Sequence, residues 1–177
     1  MTINHAMPDT IPEPAAPPVP PADFYDGSNY QPELSVGLLM RRVLHSIVQQ
    51  IDRRLVDQDL THAQWVPLYK LMHGDCATVA ELARELQADP GALTRAVDRL
   101  EAKGLVLRER STQDRRVVQL ALTDTGQRVA ATVPAVLAEV LNTHLAGFSQ
   151  DEWQTLIQLL QRMLANGEAL RDAAIQP

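Results

Sequence analysis

Arg95, Arg99 and Lys103 follow one another at helical-turn spacing, and Arg115 and Arg116 stand together after Asp114. A guanidinium is a planar fork of donors that matches a guanine edge or a phosphate, while an ammonium acts as a point charge. This is the chemistry of recognising an anionic polymer, not of making bonds. The residues that would argue for catalysis are scattered. His5, His45, His62, His73 and His144 show neither H-E-x-x-H nor H-x₃-H spacing, and one cysteine, Cys76, completes no Cys–His zinc pattern. There is no Gly-rich phosphate loop and no G-x-S-x-G. Asp151-Glu152 reads as a pair of first-turn acids favoured by a helix dipole. The expectation is no catalytic residue, no metal site and no cofactor.

The formal net charge of −6 argues against nucleic-acid binding until its distribution is considered. Residues 1–32 carry four acids (Asp9, Glu13, Asp23, Asp26) and no Lys or Arg, whereas residues 84–116 hold eight of the 16 basic residues. A local basic face is enough for phosphate contact, because counterion release depends on the contacting groups. The 177 residues are 45 % hydrophobic, which excludes global disorder. No apolar run approaches the length of a membrane span. The first residues lack a basic start and an apolar stretch, so no secretory signal is expected. A lone cysteine suits a reducing compartment, and the expected location is the cytoplasm.

These residues must be positioned by elements, and the punctuation for those is clear. Eight of twelve prolines fall in residues 1–32, predicting an extended, partly polyproline arm: either a disordered tail, or an arm packed on a partner subunit with Phe24, Tyr25 and Tyr30 as anchors. A helical pattern runs from Glu33 to Asp57. Thr61 with Gln64, and Thr78 with Glu81, read as capping boxes opening two helices. Pro67 predicts a kink or a 3₁₀ turn in the first of them. Asp89 and Pro90 open a further helix that Gly104 ends. Leu105–Arg110 and Arg116–Leu122 read as strands of a hairpin, with Leu105 and Leu107 on one face of the first. Thr123 caps a long helix bent at Pro134, and Ser149 caps a final helix to about Ala173. The fold class expected is mainly α with a two-stranded β-wing: a winged helix-turn-helix at 58–122, flanked by a helical dimerisation domain at 33–57 and 123–173.

A helix in the major groove reads bases with its N-terminal side chains. Here those are Gly91, Ala92, Thr94 and Arg95. Thr94 suits a thymine methyl or a phosphate, Arg95 a guanine. Arg99 and Lys103, further along, are better placed for phosphates. The hairpin tip, with Arg115 and Arg116, suits a narrow minor groove. A small helical hairpin with merely solvated arginines is the competing reading of 78–103, and the arginine pair at the tip weighs against it.

At this point the sequence resembles the MarR family of winged-helix transcriptional regulators, over roughly Glu33 to Ala173. D-R-R-V-V-Q-L-A-L-T-D-T-G, Asp114 to Gly126, is similar to the family's wing signature. G-A-L-T-R-A-V-D-R-L-E-A-K-G-L-V, Gly91 to Val106, is similar to its recognition helix and following strand, and L-T-H-A-Q-W, Leu60 to Trp65, to the start of its second helix. The resemblance implies a homodimer on a pseudo-palindromic double-stranded operator, with Asp114 bracing the wing through an arginine of the DNA-binding lobe and Arg116 entering the minor groove. Subclasses that sense oxidants use a cysteine on the first helix. This chain has none there, and Cys76 lies in a loop.

The resemblance also implies a small anionic aromatic effector, for which a flat apolar slot with a cationic end is needed. Arg41, Arg42 and His45 on the first helix, with His62, Trp65 and Tyr69 on the second, form the candidate set. Trp65 and Tyr69 as core residues, and the histidines as satisfied polar groups, are the competing readings. The functional expectation is a ligand-responsive repressor released by an aromatic acid or phenol. The alternative is a helical adaptor protein whose winged helix serves protein contacts.

Overall fold

The computed structural model describes residues 20–74, 78–111, 114 and 116–175. The first nineteen residues of the arm, Cys76 and Arg115 lie outside these. Seven helices and one hairpin are present among the described residues: α1 (Val36–Arg54), α2 (His62–His73), α3 (Val79–Glu85), α4 (Pro90–Ala102), β1 (Val106–Arg110), β2 (Val118–Leu122), α5 (Asp124–Ala130), α6 (Val133–His144) and α7 (Gln150–Ile175). The fold is mainly helical with a two-stranded antiparallel sheet, as the residue patterns predict.

The chain divides into two units, residues 1–39 and 40–177. In the first, two short 3₁₀ turns precede α1, at Gly27–Asn29 and Pro32–Leu34. The Tyr25 hydroxyl accepts from the Val36 N–H at 2.9 Å and donates to the Leu34 carbonyl at 3.2 Å. It thereby closes the segment into a clasp. The Asp26 carboxylate accepts from the Ser28 N–H, which lowers its pKa.

The second unit is built on caps that were legible in the residues. Thr61 with Gln64, and Thr78 with Glu81, form complete capping boxes. Asp89 accepts from the Ala92 N–H at 2.7 Å, with Pro90 at the first helical position. Each such cap satisfies backbone donors that a helix start leaves unpaired, worth about 1 kcal/mol. The α3–α4 turn closes at Gln87, which takes a left-handed φ of 48°. The Ala88 N–H then bonds the Ala83 carbonyl at 3.0 Å. Leu68, Leu82, Val97 and Leu100 are fully buried between α2, α3 and α4, with Ile51 of α1, Leu55 just after it, Val106 and Leu120 of the hairpin, and Ala130 of α5.

Three expectations change. Helix α2 stays α-helical from His62 to His73, with no 3₁₀ turn at the buried Pro67. The long helix after Thr123 breaks instead of bending. Helix α5 ends at Ala130 and α6 starts at Val133, with Pro134 in the first turn of α6. Proline has no N–H to give the carbonyl four residues back and disfavours the helical conformation just before it, so the ladder stops there. The strands are also shorter than Leu105–Arg110 and Arg116–Leu122, spanning Val106–Arg110 and Val118–Leu122. The register pairs Val106 with Leu122, Arg108 with Leu120 and Arg110 with Val118. Val106 is therefore the inward residue, while Leu107 is exposed.

Helix α5 packs on α2 and β2. Its start is fixed by Thr123, whose hydroxyl donates to the Gly104 carbonyl at 2.7 Å and accepts from the Gly126 N–H at 2.9 Å. This draws Gly126 against β1 so closely that a Cβ there would lie 1.9 Å from the Leu105 carbonyl oxygen. The L-T-x-x-G pattern thus has a steric cause.

Candidate nucleic-acid interface

Helix α4 is divided lengthwise. Leu93, Ala96, Val97 and Leu100 are buried in the core, and Gly91, Ala92, Thr94, Arg95 and Arg99 are exposed. The 3.6-residue period alone imposes this division. It collects these five residues, with Asp98 and Glu101, on the outer side of a helix whose first turn is held by Asp89. A methyl group on Gly91 would meet the Asp89 carboxylate at 3.3 Å and the Arg95 guanidinium at 3.5 Å. The Thr94 hydroxyl donates to the Pro90 carbonyl at 2.8 Å. Its hydrogen is therefore spent on its own helix, and what remains for a ligand is the methyl and the oxygen's acceptor capacity.

Lys103 sits differently. Its ammonium lies 3.0 Å from an Asp59 carboxylate oxygen and 3.2 Å from Gln64 Oε1, and also donates to the Asp59 carbonyl. It ties the end of α4 to the start of α2. The phosphate role read from its spacing would compete with these acceptors.

In the hairpin, the Ser111 N–H bonds the Val117 carbonyl at 2.9 Å, and the Val117 N–H bonds the Asp114 carbonyl at 2.9 Å. The Asp114 carboxylate accepts from the Arg116 backbone N–H at 2.9 Å. Asp114 and Arg116 are both exposed. Arg115 is outside the described residues. The sequence reading missed Arg108. Its guanidinium reaches back from β1 to α4, bonding Asp98 Oδ1 at 2.7 Å and the Glu101 carboxylate. The hydrogen bond to Asp98 raises its pKa above the ordinary arginine value, against the opposing effect of partial burial, and Glu101 adds to the rise. The available signal was acids at i and i+3 on α4 with an arginine seven residues beyond.

The six residues singled out for an effector fall into separate environments. Arg41, Arg42 and His45 are exposed on α1. Trp65 is buried, and its indole N–H donates to Asp52 Oδ1 at 3.1 Å, linking α2 to α1. His62 stacks edge-on against Trp65 with ring centroids 5.1 Å apart, and Tyr69 lies against His73 at 4.3 Å. His62 also lines a cavity of about 200 Å³ with Val66, Pro67, Leu86, Ala92 and Leu93. Among the described residues, no hydrogen bond, ion pair or ring contact joins the three α1 residues to His62, Trp65 or Tyr69. No group of three metal-binding side chains occurs among the described residues. No described helix is long and apolar enough to cross a membrane.

The MarR family profile matches residues 60–118, the stretch holding α2 to the start of β2. The fold is similar to that of reduced MarR from E. coli, at 30 % identity and a TM-score of 0.67, covering 74 % of this chain and 97 % of that one. It is similar to the transcriptional regulator PA3341 at 32 % identity and a TM-score of 0.69, covering 76 % and 99 %. It is also similar to S. aureus MepR, solved as a DNA complex, at 25 % identity and a TM-score of 0.69, covering 75 % and 98 %. Relatives this similar and this fully covered, together with the helix-turn-helix and wing described above, establish that the chain belongs to the MarR family of transcriptional regulators.

Proposed function

We propose that this regulator is a homodimeric repressor that reads a pseudo-palindromic DNA site and leaves it when a small aromatic acid or phenol binds. The observation that carries the DNA reading is the outer side of α4, where Gly91, Ala92, Thr94, Arg95 and Arg99 are exposed together opposite a fully buried apolar side. In this assignment Arg95 contacts a base edge in the major groove, Thr94 a thymine methyl or phosphate, and Arg99 a phosphate. Arg116, with Arg115, enters the minor groove, and Asp114 supports the turn that carries it. DNA complexes of the similar MepR and of an E. coli MarR variant support the assignment. The adaptor alternative gains nothing from these neighbours.

The dimer is supported by apolar side chains left uncovered on three helices: Met40, Val43 and Leu44 on α1, Leu141 on α6, and Trp153, Ile157, Leu160 and Met163 on α7. Single exposed leucines are ordinary, but helical faces of this extent call for a partner surface. The effector assignment takes Arg41, Arg42 and His45 as the cationic end of a site whose apolar part includes His62, Trp65 and Tyr69. A carboxylate gains more from such charge-assisted bonds than a neutral group does. The proposed location is the cytoplasm, where the DNA is.

Electrophoretic shift on a duplex selected by the wild-type protein tests the assignment. Arg95→Ala should weaken binding by about 1–3 kcal/mol and relax the sequence preference at one position per half-site. Arg116→Ala should weaken binding mainly where the flanks are A·T-rich. Equal loss on selected and random DNA for Arg95→Ala would sink the base-reading role. Titrating aromatic carboxylates and phenols into the same complex tests release. If release persists unchanged in Arg42→Ala and Trp65→Ala, the effector binds elsewhere.

A further inference from the structure

We propose that Arg108 is a positioning residue that locks the wing to α4, so that major-groove and minor-groove contacts are made at one fixed spacing. The inference rests on the reading of α4 and the wing as the DNA interface. A two-stranded hairpin is marginal by itself and needs packing to hold an angle. The wing's apolar packing is confined to its root, where Val106 is 2 % exposed and Leu120 6 %. Further out, Val117 and Val118 are exposed and add no buried apolar contact. Arg108 lies between these regions, opposite Leu120 in the register, with Glu109 and Arg110 leading on toward the tip.

From there its guanidinium spans two carboxylates one turn apart on α4, Asp98 and Glu101. A planar fork bonded at two points fixes direction as well as distance, which a lysine ammonium does not. The triplet is partly shielded, with the Arg108 side chain 26 % exposed. It therefore holds the strand at the point where apolar packing has run out. Arg116, which meets DNA beyond it, and Asp114, which supports the turn of Arg116, inherit that angle.

A simpler role competes. Asp98 and Glu101 sit on the exposed side of the helix with Arg95 and Arg99, and Arg108 would merely cancel two charges that repel phosphate. Two variants that both break the triplet, but change the charge in opposite directions, separate the roles. Arg108→Met removes one positive charge, whereas the double variant Asp98→Asn/Glu101→Gln removes two negative charges.

Full-length protein is measured against a random duplex and a duplex of about 30 base pairs selected by the wild type, room for two half-sites a helical turn apart. The ratio of the two dissociation constants is the readout. Positioning predicts that both variants lose about tenfold or more of this ratio, although random-DNA binding weakens for Arg108→Met and tightens for the double variant. Arg108→Lys, which keeps the charge without the fork, should fall between, and it covers the case in which Arg108→Met does not fold. If the double variant tightens both duplexes equally and holds the ratio within twofold of wild type, charge cancellation is the whole role and the proposal is overturned. If the wild type itself selects no duplex from the pool, the DNA reading fails, and the inference falls with it.

Discussion

The helix-turn-helix lobe and the C-terminal helix α7 solve the problem of apolar surface in opposite ways. The lobe completes its own interior: Leu68, Leu82, Val97 and Leu100 are fully buried, and its helix starts are capped by Thr61, Thr78 and Asp89. Helix α7 is 26 residues long and buries none of its described side chains within one chain. Trp153 is 39 % exposed, Ile157 40 % and Leu164 61 %. Yet α7 is as well capped as the lobe, with Ser149 and Glu152 in a reciprocal pair. Good local signals therefore do not say whether an element's packing is finished. The lobe's cohesion comes from contacts inside the chain, whereas under the proposed homodimer α7's comes from a second copy.

The contrast can be broken hardest at Gly126. Gly126→Ala would push a methyl into the Leu105 carbonyl, a backbone atom that cannot swing away. Overpacking at such a point should cost about 3 kcal/mol or more, seen as a lower urea midpoint for the lobe. Association through α7 should be affected far less. The reverse experiment is Leu160→Glu, which places a charge in each copy on the face assigned to the partner. Expected is a loss of association of about 2 kcal/mol or more, read as a concentration-dependent fall to monomer. Helix content in the lobe should persist.

A smaller effect sharpens the comparison inside the lobe. Gln87 holds a left-handed φ of 48° that an L side chain resists. Gln87→Gly should therefore stabilise the lobe by about 0.5 kcal/mol, since relief of strain there slightly exceeds the added chain entropy. The smallest effect is one of pH. The Ser149 N–H bonds the Glu152 carboxylate at 2.8 Å and lowers its pKa. A carboxyl whose folded pKa is depressed contributes fully above its unfolded value, and that contribution is lost as pH falls through the folded value. Glu152→Gln should flatten the decline of α7 helicity in the acid range. Glu85, lowered by its hydrogen bond to Lys70, gives the matching test in the lobe.

What could be read from residues alone was what neighbours along the chain decide. Capping boxes, the Asp89-Pro90 start and the Gly104 stop all act within four residues, and all are present. The inward face of the first strand was not legible, because L-V-L is apolar at both parities. Only the register with the partner strand chose Val106 over Leu107. Pro134 announced a disturbance, but whether a helix bends or ends depends on packing elsewhere. The contact of Lys103 with Asp59, 44 residues away, could not be read from its helical spacing. Arg108 was passed over for the same reason. Its importance lies in Asp98 and Glu101 across the strand–helix boundary, not in its own neighbours.

Sedimentation of the full chain at micromolar concentration tests the central contrast most directly. The account predicts a single species of about twice the 19.6 kDa chain mass, with the apolar faces of α1, α6 and α7 covered. A folded, stable species at the mass of one chain would contradict it, because those faces would then need no partner.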